Sequence, residues 1–224
     1  MRTALVFSQG NFVGREYYRC MVEAGMTPDV CIAVGVMPFT SYEFEVGRTG
    51  GFWSPPAIPG TIFPFLDFRD YVLWNMLREC DIAIQAGCGM VPRSALAMPK
   101  LGWVGVHPGK LPDYKGASCP EWAILSGHTR IWLTAHLLSE ELDGGPLIWE
   151  RPYQYKTGQT YEEWRAGIYP AAGKCLVKAL RHLSDAKLET LHEYVLPQTV
   201  GRGFIHPRIP PDKLTQVKRL LSIS

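Results

Sequence analysis

Apolar residues along this chain fall into short continuous runs that alternate with amphipathic stretches, a pattern typical of strands buried beneath helices on both faces. The apolar runs predict buried strands at residues 3–7, 29–36, 81–87 and 101–106. Helical periodicity, with capping and stop residues, predicts helices at 11–24, 70–80, 92–98, 119–127 and 160–184. Two further strands are predicted at 130–139 and 145–155. This order predicts an α/β fold with an open, mostly parallel twisted sheet and helices on both faces.

Two segments depart from this alternation. Residues 37–66 are rich in glycine, proline and aromatic residues, which predicts an irregular loop. A loop of that length inside a domain is typically functional or mobile. Residues 190–224 are punctuated by prolines and end in an amphipathic helical pattern. We therefore expect a core domain at residues 1–189 and a C-terminal extension at 190–224.

Composition narrows the classes of protein to consider. The chain has 224 residues, of which 46% are hydrophobic and 20% charged, and its net charge is +2. That charge is too small to indicate a nucleic-acid or anionic-membrane partner. No apolar run is long enough to span a bilayer, and the first ten residues resemble a strand rather than a signal peptide. The six cysteines show neither a CxxC pair nor zinc-ligand spacing, so we expect a cytoplasmic protein without disulfides or metal.

One histidine occupies the position where such folds bind ligands. Open α/β sheets bind their ligands beyond the carboxyl ends of the strands. His107 directly follows the predicted strand 101–106, and the loops after strands 3–7 and 81–87 belong to the same edge. An isolated histidine at a strand end is more often structural than catalytic, so the surrounding residues must decide between the two roles.

The residues around His107 resemble the folate-dependent formyltransferases. The chain reads GVHPGKLPDYKG from Gly105, and Asp143 follows His107 by 36 residues within SEELDGG. The resemblance implies a Rossmann-like core that transfers a formyl group from 10-formyltetrahydrofolate to a primary amine. It implies that His107 acts as a general acid–base and stabilises the oxyanion, and that Asp143 orients the imidazole or holds a water that shuttles protons.

The same resemblance places the pterin of the folate in a slot between two loops. One loop comprises Gly87, Cys88, Gly89, Met90 and Val91, and the other Ser139, Glu140, Glu141 and Leu142. Glycines allow the backbone to approach a flat ring, and the apolar side chains supply walls. A plain glycine turn between strand and helix is the alternative for the first loop. Cys88 has no base partner in the sequence, which argues against a nucleophilic role.

One departure from the family pattern bears directly on activity. The family carries an asparagine two residues before its histidine, whereas this chain has Gly105. Losing one oxyanion donor costs on the order of 3 kcal/mol, or about 10²–10³ in rate. Asn11 or Gln85 can replace the amide, a water can fill its place, or transfer has been lost. The hydrolase domain of 10-formyltetrahydrofolate dehydrogenase also resembles this pattern without the asparagine. Hydrolysis of 10-formyltetrahydrofolate is therefore the alternative activity. Binding of folate or a nucleotide without catalysis is the third hypothesis.

The acceptor is less visible in the sequence. Gly10 and Asn11 resemble the family's anion-binding loop after the first strand, although an N-capped helix start explains them equally well. Lys110 lies on the expected rim of the acceptor pocket. We expect a small-molecule amine acceptor, such as an amino sugar or an amino-acid-like compound, and no nucleic acid or membrane partner. A homodimer is implied by the resemblance alone.

Overall fold

The computed structural model describes residues 1–36, 46–156, 158–199 and 202–223. Its strands are β1 (Thr3–Gln9), β2 (Val30–Val36), β3 (Ile62–Phe65), β4 (Ile82–Gln85), β5 (Trp103–His107), β6 (Tyr114–Gly116), β7 (Arg130–Leu137), β8 (Leu147–Gln154) and β9 (Phe204–His206). Its α-helices include α1 (Phe12–Glu23), α2 (Tyr71–Arg78), α3 (Arg93–Leu96), α4 (Cys119–Leu125), α5 (Tyr161–His182) and α6 (Pro211–Ile223). A 3₁₀ turn spans Leu191–Glu193.

Seven strands form one sheet in the order β3-β2-β1-β4-β5-β7-β8. The first five are parallel, β7 runs antiparallel to β5, and β8 runs antiparallel to β7. The predicted class, an open and mostly parallel sheet, is confirmed. The carboxyl ends of β1, β4 and β5 therefore meet at one edge of the sheet, which is where ligands bind in this architecture.

Helices cover both faces of the sheet, as the sequence predicts. Successive side chains of a strand point to opposite faces, so β1 supplies Leu5 to one hydrophobic cluster and Val6 to another. The first cluster lies beneath α1 and α5, which contact each other, and the second includes Leu73 and Leu77 of α2. Burial of both faces explains why these strands are continuously apolar rather than alternating.

Helix α5 begins where its sequence predicts. The Thr160 hydroxyl accepts from the Glu163 backbone N–H, and the Glu163 carboxylate accepts from the Thr160 backbone N–H, which makes a capping box. Such a box satisfies two of the N–H groups that a helix start leaves without partners. Within the described ranges, no helix has both the length and the apolar composition needed to cross a membrane.

Three short strands were not predicted. The segment 37–66 was expected to be irregular, yet β3 lies within it and pairs with β2 at the edge of the sheet. Pro64 is tolerated there because an edge strand has no second neighbour for its missing N–H. Strands β6 and β9 form a separate parallel pair. Three residues are too few for a recognisable period, and residues 37–45 lie outside the described ranges.

Candidate active site

His107 and Asp143 meet at the carboxyl edge of the sheet. His107 is the last residue of β5, and Asp143 lies in the turn between β7 and β8. Their facing atoms, His107 Nδ1 and Asp143 Oδ2, are 3.4 Å apart. His107 is 7% exposed, so the contact is shielded from bulk water. An imidazole and a carboxylate separated by 36 residues in sequence are thus neighbours in space.

The turn that carries Asp143 has an unusual backbone. Asp143 adopts a φ of 52°, in the left-handed region that aspartate tolerates better than most residues. Its Oδ2 accepts a hydrogen bond of 2.8 Å from the Gly116 backbone N–H. A Cβ on Gly145 would lie 1.9 Å from the Leu137 carbonyl oxygen, so the chain passes too close to β7 there for any other residue. These constraints aim the carboxylate at His107.

A second histidine, which sequence reasoning missed, completes a three-residue cluster. His136 lies on β7, directly opposite Gly105 in the antiparallel pairing with β5. Its Nε2 is 3.9 Å from Asp143 Oδ1, and the residue is 3% exposed. It lies within the predicted strand 130–139, and the sequence alone gives it no role. A histidine within an apolar run, seven residues before Asp143, was the available signal.

Hydrogen bonds to the backbone determine which nitrogen of each imidazole carries a proton. His107 Nε2 lies 2.8 Å from the Tyr114 carbonyl oxygen, and His136 Nδ1 lies 2.8 Å from the Leu137 carbonyl oxygen. A carbonyl only accepts, so each of these nitrogens carries a proton. The remaining nitrogen of each ring faces the Asp143 carboxylate. A proton that enters the cluster is therefore held between a ring nitrogen and a carboxylate oxygen.

Burial keeps both rings neutral. Removal from water lowers the pKa of His107, and the nearby Asp143 carboxylate only partly opposes that effect. Burial likewise lowers the pKa of His136 to about 4, again against the influence of Asp143. Burial disfavours the charged form of an imidazole, and a carboxylate within a few ångströms favours it. His136 Nε2 is therefore an unprotonated acceptor near neutral pH.

The position of the family's asparagine is surrounded by three side chains. A Cβ built on Gly105 would lie 3.0 Å from Leu138 Cδ2, 3.8 Å from His136 Nε2 and 3.9 Å from Gln85 Oε1. Gly105 has an ordinary strand conformation, so its lack of a side chain is not required by the backbone. The missing amide therefore leaves a space bounded by one imidazole nitrogen and one amide oxygen.

Neither of the donors suggested by the sequence presents an N–H to this space. The Asn11 amide donates to the Gly87 carbonyl at 3.0 Å, and its oxygen accepts from the Val13 N–H at 2.7 Å as the N-cap of α1. Gln85 donates its Nε2 to the Gly89 carbonyl at 3.0 Å and turns its oxygen toward Gly105. Both suggestions are corrected for the same reason, because a nearby backbone group already holds each amide.

A cleft of about 360 Å³ opens beside the cluster. Gly105, His107, His136 and Asp143 form part of its lining. Seven of the nine residues predicted for the pterin slot also line it: Gly89, Met90, Val91, Ser139, Glu140, Glu141 and Leu142. The volume lies within the range of small-molecule sites. The two loops thus flank one cavity, with the histidine and aspartate cluster at its side.

Gly87 and Cys88 do not line that cleft. Gly87 has a φ of 81°, and a Cβ there would come within 2.5 Å of the Asn11 amide, so the turn requires glycine. Cys88 is 8% exposed, and burial raises the pKa of its thiol to about 12. A thiol with that pKa is protonated at neutral pH and is not nucleophilic. Gly87 and Cys88 therefore contribute to the conformation of the loop and not to the surface of the cleft.

A second cavity, of about 380 Å³, lies at the same edge of the sheet. Gly10 and Asn11, which the sequence suggests for the acceptor, line it together with Arg15. Asn11 also donates to the Gly87 carbonyl in the loop that borders the first cavity. Lys110 lines neither cavity, because its ammonium pairs with Glu150 at 2.6 Å and lies over the Trp132 ring.

This geometry agrees with the comparison to known families. Residues 75–180 match the family model described as formyl transferase. The chain is therefore a homologue of the formyltransferases. The matched range includes the cleft loops, His107, His136 and Asp143. The resemblance inferred from the sequence is confirmed.

One relative extends the sequence similarity beyond the matched range, and solved structures share the fold. Methionyl-tRNA formyltransferase from Parabacteroides distasonis is 26% identical over 79% of this chain and 55% of the relative. The phosphoribosylglycinamide formyltransferase structure from Streptococcus pneumoniae TIGR4 aligns with a TM-score of 0.58 and 17% identity, over 82% of this chain and 98% of that one. HypX from Aquifex aeolicus in complex with tetrahydrofolic acid aligns with a TM-score of 0.57 and 18% identity, over 95% and 30%. This formyltransferase-like chain spans about half the length of the first of these relatives.

Proposed function

We propose that this protein transfers a formyl group from 10-formyltetrahydrofolate to the primary amine of a small molecule. The observation that carries the proposal is the His107–Asp143–His136 cluster at the side of a cleft sized for a small ligand. The match of residues 75–180 to the formyl transferase family supports the same chemistry. The net charge of +2 gives no reason to propose a tRNA acceptor.

The cleft suits the folate in shape and chemistry. Met90, Val91, Leu138 and Leu142 give it apolar walls for a flat ring, and residues 139–141 add polar side chains to its lining. Met90 is 79% exposed and Leu142 is 40% exposed. Packing of a ring against these two side chains would remove exposed apolar surface from water, which favours binding. Folate supplies the formyl group, and the protein supplies the binding site and the proton relay.

We infer a proton relay from the arrangement of these residues. His136 Nε2 is unprotonated and borders the space at Gly105, so it accepts the proton of the attacking amine as the new C–N bond forms. The resulting imidazolium then places a positive N–H beside the developing oxyanion, where the family asparagine would otherwise donate. Asp143 lies between the two rings and passes the proton toward the departing folate nitrogen. His107 Nδ1 carries no proton in the neutral ring and faces the same carboxylate, so it can take up the proton that Asp143 receives.

The second cavity suits the body of the acceptor. Of the described residues that line it, only Arg15 is charged. Its apolar lining comprises Phe7, Ala33, Ala57, Ile58, Ile62 and Pro64. One guanidinium beside mostly apolar walls favours an amine with an apolar chain and one carboxylate. We therefore propose an amino-acid-like acceptor in preference to an amino sugar, which presents many hydroxyl groups to be satisfied.

Hydrolysis of 10-formyltetrahydrofolate is the second candidate function. The observation that favours it is Gly105, which lacks the family's amide and lines the cleft together with His136, where a water can enter. A neutral imidazole that accepts a proton from an attacking amine can also accept one from an attacking water. The two activities then differ only in which nucleophile reaches the formyl carbon.

A single assay separates the candidates. Purified protein is incubated with 10-formyl-5,8-dideazafolate, and release of the deformylated folate is followed by absorbance with and without a panel of amino acids and amino sugars. Amine-dependent release with a formylated amine as product supports transfer, and amine-independent release of formate supports hydrolysis. Saturable folate binding without any release leaves only a binding role.

Variants of the cluster connect the activity to the site. Asp143→Asn should reduce turnover by about 10² or more while calorimetric binding of the folate analogue persists, because the amide cannot carry the proton. Asp185→Asn replaces an exposed aspartate outside the site and serves as the matched control. Equal rates for the two variants would show that the cluster does not carry the chemistry. Homodimer formation stays a prediction, which sedimentation of the same preparations can test.

A further inference from the structure

The C-terminal extension reaches the turn that carries Asp143. Leu196 forms an isolated antiparallel bridge with Leu147 at the start of β8, with N–H···O distances of 2.8 and 2.7 Å in the two directions. Two residues further on, Gln198 Nε2 donates to the carbonyl oxygens of Asp143 at 3.0 Å and Gly145 at 2.6 Å. Four hydrogen bonds thus join this short segment to residues 143–147.

The extension also fixes the strand that contacts the cluster from the other side. β9 pairs in parallel with β6, and Gly116 lies opposite His206. A Cβ on Gly116 would lie 2.5 Å from the His206 carbonyl oxygen, so the two strands are in very close contact. β6 in turn provides the Tyr114 carbonyl that accepts from His107 and the Gly116 N–H that donates to Asp143. The position of β6 therefore sets both of these contacts.

The conformation of Asp143 benefits from such support. Its φ of 52° lies in the left-handed region, which is less favourable than an ordinary conformation for a residue with a side chain, although aspartate tolerates it better than most. Hydrogen bonds from neighbouring groups therefore help to hold the turn. The Gln198 Nε2 donates to two carbonyls of the turn for which the described residues provide no backbone donor, whereas its own buried Oε1 has no partner among those residues.

We propose that Gln198, supported by β9, is a positioning residue that holds the Asp143 carboxylate against His107. The active site then extends beyond residues 75–180, the range matched by the family model, and requires the segment that follows the core. This inference rests on the proposed function for its catalytic consequence, but its geometric content is independent of any activity. The titratable groups that face His107 are Asp143, His136 and His206.

Histidine NMR tests the geometry without turnover. The ring signals of His107, assigned by comparison with His107→Asn, are titrated in the wild type, in Gln198→Ala and in Gln198→Glu. The Asp143 carboxylate raises the pKa of His107, so a displaced carboxylate should lower the titration midpoint by about half a pH unit or more in both variants. Glutamate preserves the shape of the side chain but presents only acceptors to two carbonyls, so it should not rescue.

Kinetics and a control complete the test. Gln198→Ala should lower kcat about tenfold or more and change the KM for folate less than twofold, because the cleft loops are untouched. Gln216→Ala removes an exposed glutamine of the same extension and should leave both the midpoint and kcat unchanged. An unshifted His107 midpoint in Gln198→Ala overturns the proposal. A shifted midpoint in a protein without any formyl release overturns the proposed function and leaves the positioning role intact.

Discussion

Replacement of His136 by glutamine should flatten the dependence of stability on pH. His136 has a pKa of about 4 in the folded protein because of its burial, against 6.5 for a free imidazole. Between these values the unfolded chain binds a proton that the folded protein does not, so the free energy of unfolding falls as the pH is lowered. The native neutrality of His136 is what its proposed role as a base requires.

The magnitude follows from the two pKa values. At pH 7.5 neither state binds a significant fraction of this proton, whereas at pH 5.5 the unfolded imidazole is largely protonated and the folded one is not. One pKa unit corresponds to about 1.4 kcal/mol, so His136 should cost about 1.3 kcal/mol of stability over this interval. For a chain of this size that amounts to roughly 3–5 °C in Tm.

Thermal unfolding at pH 7.5 and 5.5 measures the effect. The comparison is between the wild type, His136→Gln and His192→Gln, which removes an exposed histidine of the 3₁₀ turn. Between pH 7.5 and pH 5.5, the wild type and His192→Gln should each lose about 1.3 kcal/mol more free energy of unfolding than His136→Gln loses. Only the difference between the two pH values matters, so a general destabilisation by the substitution does not obscure the result. Equal losses in His136→Gln and the wild type would refute a buried neutral imidazole.

Three further substitutions test separate parts of the structure. Gly105→Asn should slow turnover about tenfold, because the new side chain displaces the end of the Leu138 side chain and fills the space beside His136. Faster formyl release would show instead that the site lacks a hydrogen-bond donor. Gly203→Ala should lower the free energy of unfolding by about 2 kcal/mol or more in urea titrations, since φ is 93° and the Cβ would lie 1.6 Å from the Pro112 carbonyl oxygen; unchanged stability would contradict close docking of the extension. Lys110→Met should leave the acceptor KM within about twofold in steady-state assays, because its ammonium is outside both cavities; a large rise in KM would return Lys110 to the acceptor site.

The sequence predicted the parts of the fold that depend on local pattern. Strands 3–7, 29–36, 81–87 and 101–106 are long enough for their burial on two faces to be visible as apolar runs. The start of α5 was equally visible, because a capping box involves residues only three apart. Strands β6 and β9 were missed because each has three residues and gains its stability from a partner about 90 residues away.

Part of the candidate site was also accessible from the sequence. His107 follows a buried strand, and the topology of parallel sheets places all such positions at one edge. The spacing to Asp143 belongs to a family pattern, so the resemblance supplied the partner before any distance was known. The resemblance also supplied the two loops that flank the cleft. Gly87 and Cys88 belong to the first loop but do not line the cleft.

By itself, the sequence determined the sheet and its functional edge, because these follow from hydrophobic pattern and chain order. The pair of His107 and Asp143 came from the resemblance to a known family. Only the tertiary structure decided that His136 faces the space beside Gly105 and that the Asn11 and Gln85 amides donate to backbone carbonyls. The same holds for the hydrogen bond from Gln198 to the Asp143 carbonyl. The physical reason is common to all of these. Each is a hydrogen bond or a close approach between groups brought together by the register of strands and the path of loops, and no local preference of either residue reveals its partner.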